Sequence, residues 1–242
     1  MRSDSVKGQY PMLHAPRIPE LAQRDRFVRR AVAEGRVLTL ADEENASVPS
    51  QKVAGRTVQL FWSSPLEAER WAEALAGNSE LQDISLEVFA TDILPGIAKA
   101  KGFAGTDWVS DPIEAEIDPR DLLIRLQIEA VPAYAAAARA KAEVYYVGGD
   151  DSPLVTPGTQ KPRSADRLHV FSTRADAEAH MKKLAGKKVI ADPIADFVGS
   201  TLPWAAKMGH AVVIEPIRGA GFVEVKTADF AAHLSKVPAG TS

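Results

Sequence analysis

One stretch of this sequence occurs twice, and the length of the period sets the scale on which the chain folds. Trp62-Ser63-Ser64-Pro65-Leu66-Glu67-Ala68-Glu69 runs on to Leu75-Ala76-Gly77. It aligns without a gap, 109 positions later, with Phe171-Ser172-Thr173-Arg174-Ala175-Asp176-Ala177-Glu178, running on to Leu184-Ala185-Gly186. Six of the sixteen positions are identical. At an offset of 108, Phe89, Leu94, Pro95, Ala98 and Lys99 recur as Phe197, Leu202, Pro203, Ala206 and Lys207, and Asp121 and Leu126 recur as Asp229 and Leu234. This period is far too long for a solenoid repeat and matches a small domain. The 242 residues are therefore expected to form an N-terminal arm (1–25) and two tandem copies of one domain (26–128 and 133–237).

Composition narrows the class. With 45% hydrophobic and 25% charged residues the chain is globular rather than disordered. A net charge of −3 gives no general drive toward nucleic acid or an anionic membrane. The basic clusters Arg24 to Arg30 and Lys182, Lys183, Lys187, Lys188 have acids between or near them and read as solvated helix faces. The absence of cysteine excludes disulfides, thiol catalysis and thiolate metal sites. The N-terminus has no signal-like apolar core and no stretch reaches membrane-spanning length, so a cytoplasmic location is expected. Abundant alanine points to a bacterial origin.

The two copies read alike. Residues up to about 20 carry Pro11, Pro16 and Pro19 and predict an extended arm. A helix (Arg24–Ala33; Ala133–Ala142), a strand (37–40; 144–147) and a short hairpin strand near Val48 or Leu154 come next, then a strand over 58–62 or 168–171. Ser64, Pro65 and Glu67 form a capped helix start, with Thr173 and Asp176 in the same roles. Ala68, Trp71, Ala72 and Leu75 make an apolar stripe, repeated by Ala177, His180, Met181 and Leu184, and Gly77 and Gly186 end the helix. A following helix meets Pro95 or Pro203 internally, which predicts a kink or two abutting helices. Strands over 106–109 and 114–117, or 211–214 and 222–225, precede a last helix from Pro119 to about Gln127, or Thr227 to about Lys236. The class is α+β, with a mostly antiparallel sheet covered by helices. The linker Ile128–Ala133 is apolar, so the two domains are expected to pack in a fixed relation.

Phe61-Trp62-Ser63-Ser64, then Ala68 and Trp71, Ile93-Leu94-Pro95 and Trp108, resemble a bacterial family known as domain of unknown function 2750. The resemblance covers roughly residues 26–127 and, more weakly, 135–236. Ile93 and Thr201 stand where the family has Trp before Leu-Pro, and His180 stands in place of Trp71. A more distant likeness is to the enhanced-serine-sensitivity (SseB) N-terminal domain. These resemblances imply a fold and a bacterial origin, and no activity.

No motif for chemistry emerges. His14, His169, His180, His210 and His233 show no metal spacing, and no nucleophile elbow, Walker loop or dinucleotide fingerprint is present. Alternation exposes His169, helix position partly buries His180, and His210 closes a helix. Glu114 and Glu116 share the solvated face of a strand, and Gly148-Gly149-Asp150-Asp151 reads as a hairpin turn. Core filling accounts for Trp62 and Trp71. Trp204 replaces Gly96 and has no place in the shared plan, so it is expected between the domains or on a partner-binding patch. The binding candidates are Trp204, Trp108 and His210, with no catalytic residue, metal or cofactor assigned. The reading is a non-catalytic tandem interaction module with a protein partner. The alternative is a small-molecule-binding or hydrolytic enzyme using His210, Asp107 and Glu215 in an inter-domain groove.

Overall fold

Proline is welcome in the first turn of a helix, where its missing N–H has no partner to lose. Pro19 takes that place: α1 spans Ile18–Glu34, so it begins inside the predicted arm. The structure, a computed structural model, describes residues 18–42, 46–75, 79–108, 115–149, 152–157, 165–182, 187–214 and 223–235. His14, Gly77, Glu114, Asp150, Asp151, Leu184, Gly186 and Glu215 lie outside them, as do the side chains of Leu75 and His180.

After α1 come β1 (Arg36–Leu40), β2 (Ser47–Pro49), β3 (Thr57–Phe61), α2 (Pro65–Leu75) and β4 (Leu81–Ser85). Then follow α3 (Leu86–Val88), a π-turn (Phe89–Ile93), α4 (Leu94–Lys99), β5 (Phe103–Thr106) and β6 (Glu116–Ile117). A long helix, α5 (Pro119–Lys141), leads into the second half. That half holds β7 (Glu143–Gly148), β8 (Val155–Thr156), β9 (Arg167–Phe171), α6 (Arg174–Met181), β10 (Lys188–Pro193) and α7 (Ile194–Asp196). A second π-turn (Phe197–Thr201), α8 (Leu202–Lys207), β11 (Ala211–Ile214), β12 (Val223–Val225) and α9 (Thr227–Ser235) complete it.

The sheets are mostly antiparallel, with parallel pairing between β3 and β5 and between β9 and β11. In the second half one sheet runs β10-β7-β9-β11-β12, with β8 also on β9. In the first half the sheet is split: β1 pairs β4, while β2-β3-β5-β6 form a separate set. The Leu38–Trp62 bridge joins the two sets. The expected hairpin of β2 with β1 does not form; β2 pairs β3.

The repeated Leu-Pro is accommodated by a π-turn. Leu94 N–H bonds to Phe89 O, and Leu202 N–H to Phe197 O, each five residues back. A proline in a regular α-helix would strip a hydrogen bond and press its ring on the carbonyl four residues earlier. Widening the turn just before Pro95 and Pro203 moves that carbonyl aside, so an α–π–α run replaces the expected kink.

The predicted linker is helix. α5 continues through Pro132, an exposed position, without the hydrogen bond that a proline cannot donate. Leu122 and Leu126 of α5 enter a first-half core with Phe27, Phe61, Phe89 and Leu94. Further along, Tyr134, Ala135 and Ala138 enter a second-half core with Leu168, Phe197 and Phe230. One helix therefore serves both cores.

Three polar groups expected on solvated faces are buried. Arg24 is 5% exposed and donates to Asp121 at 2.8 Å and Asp25 at 2.7 Å. Glu116 accepts from Ser50 Oγ at 2.5 Å and Gln51 N–H at 2.8 Å. His169 lies 2.6 Å from Thr156 Oγ1. Strand alternation exposes alternate side chains only where one face of a sheet is bare, and β9 is covered on both faces.

Candidate binding groove

The ends of the parallel strands β3 and β5 are locked by a polar latch. Asp107, just past β5, is fully buried with φ +49°, a left-handed conformation that Asp tolerates better than most residues. Its carboxylate accepts from Ser63 N–H at 2.7 Å and from Ser63 Oγ–H at 2.9 and 3.0 Å. Gln23 of α1 donates to the carbonyls of Thr106 and Asp107, both at 2.6 Å. Trp62 Nε1 donates to Trp108 O at 2.7 Å, and Trp108 Nε1 to Ala115 O at 3.0 Å. Burial pushes the Asp107 carboxyl up to about 6; the Ser63 bonds pull it back, Glu67 raises it and Arg26 lowers it. Every bond of this latch ties the protein to itself, so its role is to hold the strand ends.

A groove of about 740 Å³ lies where the first-half sheet splits. Leu38 exchanges both backbone bonds with Trp62, each at 2.8 Å. One step along, the ladder stops: Leu60 N–H turns to Ala46 O at 2.9 Å, and Leu60 O accepts Thr39 Oγ1–H at 2.9 Å. Thr39, Gln59 and Gln82 form a polar floor, and Val88 and Ile93, just before and at the end of the π-turn, form an apolar wall. Asp83 is the one ionisable residue of the lining, and Arg36 already pairs with it at 2.6 Å.

The second half shows what the groove replaces. Strand register places Thr39 opposite Gln82, and Tyr146 opposite Ile190 in the matching strands. Gln59, which neighbours Ala104, corresponds likewise to Leu168, which neighbours Val212. Leu168 is fully buried, Tyr146 lies 5.9 Å from Phe197 ring to ring, and Ile190 packs on the same core. Space closed by three large side chains in one half is open and polar-lined in the other. The sequence reading missed this difference; setting the two halves side by side strand by strand is the signal that could have found it.

Of the three sequence-predicted binding residues, two are brought together and Trp108 lies apart from them. Trp108 is a core residue, 2% exposed, in the first-half cluster with Trp62 and Trp71. Trp204 and His210 meet, with ring centroids 5.2 Å apart, and Trp204 is partly buried against the core of its own half. Leu202 and Ala205 seat α8, and Trp204 flanks them. Asp107 and His210 belong to different halves. Among the described residues no cluster of three metal-ligating side chains occurs, and no helix is long and apolar enough to cross a membrane.

Distant structural likenesses are to Anabaena Tic22 (protein transport) and to Tic22 from Plasmodium falciparum. The first is 13% identical, with 88% of this chain and 99% of that chain covered and a TM-score of 0.26. The second is 12% identical, with 70% and 84% covered and a TM-score of 0.22. No curated protein matches the chain. Residues 24–126, which contain the groove and all of the latch but Gln23, match the family described as "Protein of unknown function (DUF2750)".

Proposed function

We propose that the chain is a non-catalytic tandem binding module, a duplicated domain whose first copy carries the ligand groove and whose second is a filled scaffold. The observation that carries this reading is the exchange of Tyr146, Leu168 and Ile190 for Thr39, Gln59 and Gln82. A core position given up to polar side chains forgoes apolar burial, and a ligand that occupies the space offsets the loss. The ligand is a segment of a partner protein in the bacterial cytoplasm, held by the Gln59 and Gln82 amides and the apolar wall at Val88 and Ile93. The volume also suits a small molecule, the second reading.

The test compares the wild-type chain with a variant whose groove is filled, Thr39→Tyr, Gln59→Leu and Gln82→Ile, as bait in host extract and in a small-molecule screen followed by amide NMR. The wild type should capture partners that the filled variant loses, with NMR shifts centred on Thr39, Gln59 and Gln82. Identical captures by a folded, filled variant would sink the proposal.

A further inference from the structure

A second surface of the first half lies outside the groove. Between α4 and α5 is a cleft of about 350 Å³, lined by Leu94, Pro95, Ala98 and Leu123 with Lys99 and Arg120 at its rim. These include four of the positions that recur in the sequence, Leu94, Pro95, Ala98 and Lys99. Beyond the cleft, Ile124 and Ile128 continue the same face of α5 and are 52% and 58% exposed. Residues at i, i+3, i+4 and i+8 share one face, so Arg120, Leu123, Ile124 and Ile128 form a stripe of about 12 Å.

The fold does not need this stripe. In the second half the positions of Arg120, Leu123 and Ile124 are held by Ala228, Ala231 and Ala232 on α9, and the element order around them is the same. The apolar exposure and the added cation are therefore particular to the first half. The charge is also unspent: Lys99 and Arg120 have no ion pair among the described residues. The nearby acids are engaged, Asp121 by Arg24 and Arg125, and Asp118 by the N–H of Arg120.

We propose that the α4–α5 cleft docks an acidic amphipathic helix of a partner protein, with apolar anchors on Leu123, Ile124 and Ile128 and carboxylates meeting Lys99 and Arg120. Two turns of such a helix match the stripe in length, which exceeds the reach of a single anionic head group. Helix-in-groove recognition uses this spacing of anchors, and rim charges select the partner by sign.

The probe is a fluorescein-labelled helical peptide of roughly 18 residues with a leucine face bordered by glutamates, compared with a twin bearing lysines there. Fluorescence anisotropy is read with the full chain. The glutamate peptide should bind about tenfold tighter than the lysine twin, and Lys99→Glu with Arg120→Glu should invert that preference. Ile124→Ser with Ile128→Ser should weaken the glutamate peptide by about tenfold at an unchanged melting temperature. Equal binding of the two peptides, or no inversion in the charge-reversed variant, overturns the proposal. So does sedimentation showing a wild-type dimer that the serine variant loses, which assigns the face to a second copy of the chain.

Discussion

The two halves have the same order of elements yet close their sheets differently. In the second half β7 pairs with β9 through Tyr145–Phe171 and Tyr146–Val170, and the sheet is continuous. In the first half β1 meets β3 at the Leu38–Trp62 bridge alone, and beyond it the strands part. The layer under α2 also differs. Trp71 lies there between Trp62 and Trp108, 6.0 Å from each ring centroid and tilted or edge-on to them, whereas Val147, Phe171 and Ala177 lie buried under α6. On the other face of the first-half sheet, the polar Thr39, Gln59 and Gln82 do not pull the strands together beyond the bridge. A sheet closes where both faces have apolar side chains to bury; in the first half the face that buries Val37, Phe61 and Ile84 turns polar at Thr39, Gln59 and Gln82.

The largest expected effect comes from forcing the first half's chemistry on the second. Leu168→Gln buries an amide in a filled core and should cost about 3–5 kcal/mol. Urea denaturation measures it; a cost under about 1 kcal/mol would mean that the second half tolerates a polar floor and that the contrast is not energetic.

The Asp107 latch gives the next largest effect, and it depends on pH. The folded-state value near 6 lies above the ordinary 3.8, so the folded chain holds this proton more tightly than the unfolded one. The stability that the protonated carboxyl contributes is complete below about pH 4 and is lost as pH rises through about 6. A shift of that size corresponds to about 3 kcal/mol. Asp107→Asn should remove this slope, gaining on the wild type between about pH 4 and 6.5 in paired melts. Parallel pH profiles would show that the carboxylate is not the buried charge described.

Filling the groove is the milder converse. Gln59→Leu with Gln82→Ile should stabilise the chain by about 1 kcal/mol, since both replacements copy residues that pack in the second half. Destabilisation would mean that the amides have structural partners in the groove. Thr173→Ala should cost about 1 kcal/mol: Thr173 Oγ1 accepts from Asp176 N–H at 3.1 Å and also donates to the Asp176 carboxylate.

Local signals were legible where a residue acts on its own backbone. Ser64-Pro65 and Thr173 stand at helix starts, and Pro95 and Pro203 mark the disturbed helices. Signals that depend on what lies across a sheet were not. His169 and Glu116 alternate like solvated residues, and only β8 near one and Ser50 and Gln51 near the other make them buried. Gln23 gave no sign that it would clamp two carbonyls more than 80 residues away. Trp108 and Trp204 drew attention because tryptophan is large and rare. Size does not distinguish a core residue from a surface contact, because both uses bury apolar area.

By itself the sequence determined the α+β class, the starts of the capped helices and the two places where a proline disturbs a helix. These follow from short-range sterics and hydrogen bonding within a few residues. Tertiary structure alone decided that α5 runs unbroken through the expected linker, because Leu122 and Tyr134 bury into different cores from one helix. It also decided that β1 and β3 part beyond Leu38. That parting depends on side chains from four strands and a π-turn meeting at one place, and no local stretch of sequence holds all of them.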